Sequence, residues 1–151
     1  MDHSKKAREN FLCGYSCAQA VLLAFSDLTG LDEHTALLIS SSFGGGMGRL
    51  REVCGAVSGA FFVFGATLGY DDPKDLDGKK ALYATVQDFA RRFKLETGSI
   101  ICRELLEGVP TQAGGEPEPR TETYYKKRPC ADLVLLSAQI AETILTEKGI
   151  L

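Results

Sequence analysis

Histidine is scarce: only His3 and His34 occur in 151 residues. That count excludes a catalytic zinc centre built on several histidines, and both rings are expected on solvated helix ends. Positive charge is not in excess either. With 17 basic and 20 acidic side chains the formal net charge is -3, so the chain lacks the electrostatic footprint of a nucleic-acid binder. Long apolar runs are missing. The longest uncharged stretch, residues 53–70, is at the lower edge of the roughly 18 residues that a spanning helix needs. Gly55, Gly59, Gly65, Gly69, Ser58 and Thr67 dilute it, which points to a buried core helix and to no membrane insertion. No apolar stretch follows Met-Asp-His-Ser-Lys-Lys at the start, so no signal peptide is expected and a cytoplasmic address is. No segment alternates with period two, and there is no internal repeat, which leaves no basis for a sheet. A C-x-x-C is absent, which disfavours a thioredoxin-type enzyme.

What is present reads as one helical domain. Hydrophobic residues make up 44% and charged residues 25%, the balance of a soluble globular protein. A chain of this length buries roughly 70% of its unfolded surface. A short polar helix is expected over 3–13, stopped or kinked at Gly14. Ser16-Cys17-Ala18-Gln19 is a capping box, and the helix it starts is expected to run to about Leu28, before Gly30. Asp32 caps a helix to about Phe43. After Arg49 comes the apolar helix of about 50–69. A long amphipathic helix from Leu76 to about Leu95 carries Leu82, Val86, Phe89 and Phe93 on one face, with Gly98 as its stop. Ser99 suits the cap of a short helix, about 100–107. Residues 108–128 hold Pro110, Pro117 and Pro119 without periodicity and read as a solvated loop rather than a lid over the cysteines. Pro129 suits the first turn of a last helix to about 147. The expectation is an all-α, single-domain irregular bundle of five to six helices spanning residues 1–151.

Five cysteines stand out: Cys13, Cys17, Cys54, Cys102 and Cys130. The caps place Cys17 at the first, Cys102 at the third and Cys130 at the second position of three different helices. Free backbone N–H groups and the positive dipole end lie there, and both favour a thiolate. Arg103 is the expected electrostatic support, with Lys126, Lys127 and Arg128 pushing the same way. Cys54 lies inside the expected helix of 50–69, beside Gly55 and Gly59, whose spacing lets another backbone approach closely. Upstream, Gly44, Gly45, Gly46 and Gly48 allow positive φ and could turn N–H groups toward an anion. The glycine run matches neither G-x-x-x-x-G-K-[ST] nor G-x-G-x-x-G, and no strand precedes it, so a nucleotide site is not expected.

Cys54-Gly55-Ala56-Val57-Ser58-Gly59 is a CGAxxG motif. With Cys17 in Gly14-Tyr15-Ser16-Cys17-Ala18, Cys102 after Gly98-Ser99-Ile100-Ile101, and Cys130 in Arg128-Pro129-Cys130, the chain resembles the C_GCAxxG_C_C family over residues 11–142. The resemblance implies redox activity carried by four cysteines, with Cys17 the one that reacts. Cys13 lies outside the four positions.

Three functions follow as expectations. In the first, Cys17 attacks and one of Cys54, Cys102 or Cys130 resolves, in thiol–disulfide exchange or electron transfer with a redox partner protein or a small thiol. In the second, the same four cysteines hold an iron–sulfur cluster or zinc. In the third, the bundle is a non-catalytic binding module with packed cysteines. A homo-oligomer is compatible with each.

Overall fold

Side-chain caps open most of the long helices. In the computed structural model, which describes residues 2–151, Asp2 accepts from the Lys5 amide to open α1 (His3–Leu12). Ser16 opens α2 (Cys17–Ala24) with the reciprocal box complete. Its Oγ accepts from Gln19 N–H at 3.3 Å, and Gln19 Oε1 accepts from Ser16 N–H at 3.1 Å. These bonds satisfy donors that a helix start leaves without partners. The helix expected to reach Leu28 breaks at Phe25, and a single further turn, α3 (Ser26–Thr29), ends at left-handed Gly30. Phe25 is fully buried and stacks on the His3 ring at 4.4 Å. His3 is therefore not on a solvated helix end. It is 1% exposed, with Nδ1 3.0 Å from Glu142 and Nε2 3.0 Å from Asp27.

Asp32 opens α4 (Glu33–Ser40), which tightens into a 3-10 turn at Ser41–Phe43. The glycine run then forms one short turn, α5 (Gly44–Met47), that is not a regular helix. Gly45, Gly46, Met47, Gly48 and Arg49 all have φ between +60° and +71°. A left-handed turn costs a residue with a Cβ about 1–2 kcal/mol, which is why glycine fills three of the five positions and why Met47 and Arg49 hold strain. Arg51 follows at φ +58°.

The apolar helix α6 (Gly55–Leu68) begins at Gly55, not near residue 50. Residues 52–54 are instead engaged with residues 100–102: Val53 bridges Ile101 in antiparallel sense, Cys54 N–H donates to Ile100 C=O at 2.8 Å, and Cys102 N–H donates to Glu52 C=O at 2.6 Å. The same pairing delays the next helix start. After α7 (Leu76–Thr97), ended by left-handed Gly98 as expected, Ser99 accepts from the Ile101 amide at 2.9 Å and α8 (Cys102–Leu105) starts only at Cys102. The proline-rich segment contains α9 (Glu122–Lys127), and α10 (Cys130–Glu147) follows Pro129.

Six of these helices have eight residues or more, and no strand occurs among the described residues. The fold is the expected all-α bundle around one core. α2 packs between α1 and α6, and α10 lies against α1, α2, α6 and α7. Phe11, Leu22, Phe64, Phe89, Phe93 and Ile144 fill the interior. Gly59 sets the α2–α6 approach, since a Cβ there would come within 2.8 Å of the Ala18 carbonyl oxygen and of Val21 Cβ. Among the described residues, no helix is long and apolar enough to cross a membrane.

Candidate functional site: a cysteine and arginine cavity

Each of the four expected cysteines stands at a helix start. Cys17, Cys102 and Cys130 are the first residues of α2, α8 and α10, and Cys54 is the cap before α6. For Cys102 and Cys130 this differs by one or two positions from the sequence expectation. For Cys54 it replaces a mid-helix position, because the pairing with Ile100 holds residues 52–54 extended. The four starts face one cavity of about 460 Å³. Cys17 and Cys130 are half-buried in its wall, while Cys54 and Cys102 are 5% and 8% exposed. Cys13 is exposed and lies away from this wall.

The two pairs differ chemically. Cys17 and Cys130 are each other's leading influence on titration. The Cys17 thiol, with the positive charge of Arg128, Arg120 and Arg51, holds the Cys130 thiol below its ordinary range against the opposing effect of burial. The proximity of Cys130 and burial raise the Cys17 thiol well above that range. Burial pushes Cys54 up to about 12, although the amides of Val57 and Ala56 at the start of α6 pull the other way. Cys102 is also raised by burial, and Arg51, whose Nη1 lies 3.7 Å from the sulfur, offsets part of that rise. One sulfur of four is thus shifted toward the thiolate, through a partner thiol and nearby positive charge.

Arginine placement corrects the expectation for Arg103. That side chain turns away from the cysteines, with Nη1 3.0 Å from Glu52 and 3.2 Å from the Arg51 carbonyl oxygen. Arg49, Arg51, Arg120 and Arg128 line the cavity instead. Of these, sequence alone places only Arg128 near the cysteines. Arg49 and Arg51 directly follow the glycine run, and that adjacency is the signal available for them; Arg120 sits in an aperiodic segment and has none.

The segment 108–128 is not a free loop. Arg49 Nε donates to Gly114 C=O at 2.8 Å, Gly114 N–H donates to Arg49 C=O at 2.7 Å, and Arg51 Nε donates to Gln112 C=O at 3.3 Å. From the far side, Arg120 donates to the carbonyls of Phe11 and Tyr15 at 3.2 and 2.8 Å and lies 4.2 Å over the Phe11 ring. Gly115, Pro117, Glu118, Arg120 and Tyr124 therefore form part of the cavity wall. Tyr124 stands between Arg120 and Arg128, 5.0 and 4.6 Å from their guanidinium carbons, and burial pushes its phenol up to about 12.

Gly44, Gly45, Gly46, Gly48 and Gly55 also line the cavity, whereas Gly59 does not. Their evident task is contact. A Cβ on Gly46 would come within 2.5 Å of Cys102 Cβ and 2.9 Å of Arg51 Cα, and one on Gly55 within 2.9 Å of Cys17 Cβ. The absence of side chains lets the four helix starts close on one another.

Four thiols are a suitable donor set for zinc or an iron–sulfur cluster. Among the described residues, however, no three His, Cys, Asp or Glu side chains converge closely enough to hold a metal ion. The four thiols share one cavity wall without converging on a common point, an arrangement that does not fit a four-sulfur metal centre.

Fold and site define a class: a small all-α protein whose helix starts bring four cysteines to one arginine-lined cavity. The family model described as "Putative redox-active protein (C_GCAxxG_C_C)" matches residues 15–144, most of the chain, and the chain belongs to that family. No curated protein and no solved structure matches it significantly.

Proposed function

We propose that the protein is a thiol–disulfide redox protein whose working pair is Cys130 and Cys17. The observation that carries this reading is the meeting of Cys17 and Cys130 in one arginine-lined cavity wall, where each thiol is the leading influence on the other and Cys130 is the one drawn toward charge. The family resemblance makes Cys17 the attacker; the opposed shifts of the two thiols support the reverse order. The Cys130 thiolate attacks one sulfur of a substrate disulfide, forming a mixed disulfide while the other substrate sulfur leaves as a thiolate and takes a proton from water. Cys17 then loses its proton to solvent and attacks the Cys130 sulfur, forming a Cys17–Cys130 disulfide and expelling the second substrate thiol. Two protein thiols lose two electrons, and one substrate disulfide becomes two thiols. A partner protein or a small thiol running the same steps backwards restores the dithiol. Cys54 and Cys102 are held protonated and shape the wall.

Peptide mass spectrometry after one equivalent of a small disulfide tests this. The expected product is a Cys17–Cys130 crosslink with Cys54 and Cys102 unmodified. Recovery of free Cys17 and Cys130 under those conditions would overturn the proposal.

A further inference from the structure

Although the whole chain is acidic, with a net charge of -3, the cavity is basic. Four guanidiniums face one carboxylate, Glu118, which is taken up by Arg128 at 2.6 Å. Arg49, Arg51 and Arg120 have no carboxylate within 4.0 Å among the described residues. Their bonds go to main-chain carbonyls, to the Cys102 sulfur and to the Tyr125 hydroxyl, which orient a guanidinium without neutralising it. Arg49 and Arg51 are 9% and 4% exposed. A buried charge without a counter-charge is costly to keep, and a cavity wall of one sign concentrates small ions of the other.

Size narrows the ligand further. At about 460 Å³ the cavity is within the range of about 300–1,000 Å³ typical of small-molecule sites. Its roof is the segment 108–128, pinned on one side by Arg49 and Arg51 and on the other by Arg120, so the sulfur pair is reached through a bounded opening.

We infer that the substrate of this site is a small disulfide bearing carboxylates, its anionic groups held by Arg49, Arg51 and Arg120 while one of its sulfurs faces Cys130. This inference rests on the thiol–disulfide reading above. The exchange is the one already written, with two molecules of the carboxylate-bearing thiol as product. The arginines also offset the repulsion between an anionic substrate and the Cys130 thiolate, a barrier that a solvent-exposed thiolate would leave in place.

The test uses the full, reduced wild-type protein and three disulfides of similar size: dithiodiglycolate (anionic), bis(hydroxyethyl) disulfide (neutral) and cystamine (cationic). Each rate is divided by that of the same reagent with a small neutral thiol, which removes intrinsic reactivity. At low ionic strength the anionic reagent is expected to exceed the neutral one by about tenfold or more and the cationic one by a larger factor, with the preference shrinking as salt is added. Arg51→Gln and Arg120→Gln, each checked for a native unfolding transition, are expected to reduce it to about threefold or less. Normalised rates within about threefold of each other, a reversed order, or faster oxidation by a protein disulfide than by dithiodiglycolate would overturn the inference while leaving the thiol reading intact. Failure of all three reagents to form the Cys17–Cys130 crosslink would remove the thiol reading itself. The wild-type comparison decides the matter even if an arginine variant does not fold.

Discussion

Cys17 and Cys130 start two long core helices, whereas Cys54 and Cys102 are set by a short antiparallel pairing and a left-handed turn. The first pair is placed by local chemistry. Ser16 and Gln19 fix the start of α2, and Pro129 precedes α10, whose first turn is completed by Leu133 N–H donating to Pro129 C=O at 3.0 Å. Ser137 on α10 then donates to the Ala56 carbonyl at 2.7 Å and locks α10 onto α6. The second pair depends on residues about fifty positions apart finding one another, and on a backbone that residues other than glycine adopt at a cost. The regular elements carry Cys17 and Cys130; the strained ones carry Cys54 and Cys102 together with Arg49 and Arg51. Strain at this place fits its general use at functional sites, where surrounding contacts hold a residue in an unfavourable conformation.

The largest effect expected from breaking this comparison is on stability. Gly46→Ala puts a Cβ into a left-handed residue and against Cys102 and Arg51. The conformational cost and the overlap together come to about 3 kcal/mol. Gly114→Ala has a similar φ of +75° but open space around its Cβ, so only the conformational cost of about 1–2 kcal/mol applies. Urea unfolding of the two variants measures the difference. Equal losses would mean that the glycine turn is not the tight element that positions Cys102.

Next in size is the chemical contrast between Cys130 and Cys54. Cys54 is pushed up to about 12, while Cys130 is held below its ordinary value of 9.0. At pH 8 their thiolate populations then differ by about a thousandfold or more, and the lower basicity of the Cys130 thiolate returns roughly twentyfold to thirtyfold of that. The net expectation is that Cys130 reacts about fortyfold faster than Cys54 with a disulfide reagent, and more once burial is included. The same pKa shifts have consequences for stability. A thiol raised on folding favours the folded state below its unfolded pKa and loses that contribution as pH climbs through the folded value. Cys54 therefore destabilises the fold between pH 9 and about 12. Cys130 is lowered, so its contribution is present above pH 9 and is lost as pH falls through its folded value. Site-resolved alkylation across pH, and unfolding of wild type against Cys54→Ala above pH 9, check the two directions.

How much of the molecule is legible in the sequence follows the same division. The all-α class, the Ser16 box, the Asp32 cap, the Gly98 stop and the start of α10 depend on residues within a turn of one another, and caps and stops are local signals. The helix start at Gly55 is not legible, because Leu50–Cys54 looks helical in isolation and only Ile100 and Ile101, from the far side of α7, make it extended. His3 looks solvated in sequence because its hydrogen-bond partners, Asp27 and Glu142, come from α3 and α10. Arg103 is adjacent to Cys102, but a side chain next in sequence on a helix points to a different face. Arg51, which is remote in sequence, is the one that reaches the sulfur.

The smallest expected effect concerns the influence of Cys17 on Cys130 within the working pair. The Cys17 thiol is the leading cause of the lowered Cys130 pKa, ahead of Arg128, Arg120 and Arg51. A thiol that donates to a thiolate makes a hydrogen bond to a charged group, worth about 1.5 kcal/mol or roughly tenfold in the thiolate population, of which the higher basicity of the thiolate returns about threefold. Cys17→Ala removes the donor without adding a charge, so alkylation of Cys130 at pH 7 should slow by about threefold to fourfold, with the inflection of its pH–rate profile moving upward. Cys17→Ser keeps a hydroxyl donor at the same place and should recover most of that rate, although neither variant can form the crosslink. Arg128→Gln acts at longer range and leaves Glu118 without its partner, so its profile should also move upward, by less than that of Cys17→Ala. If Arg128→Gln moved it further than Cys17→Ala, long-range charge rather than the thiol donor would govern Cys130. The distinction drawn between the two cysteine pairs would then rest on the arginines alone.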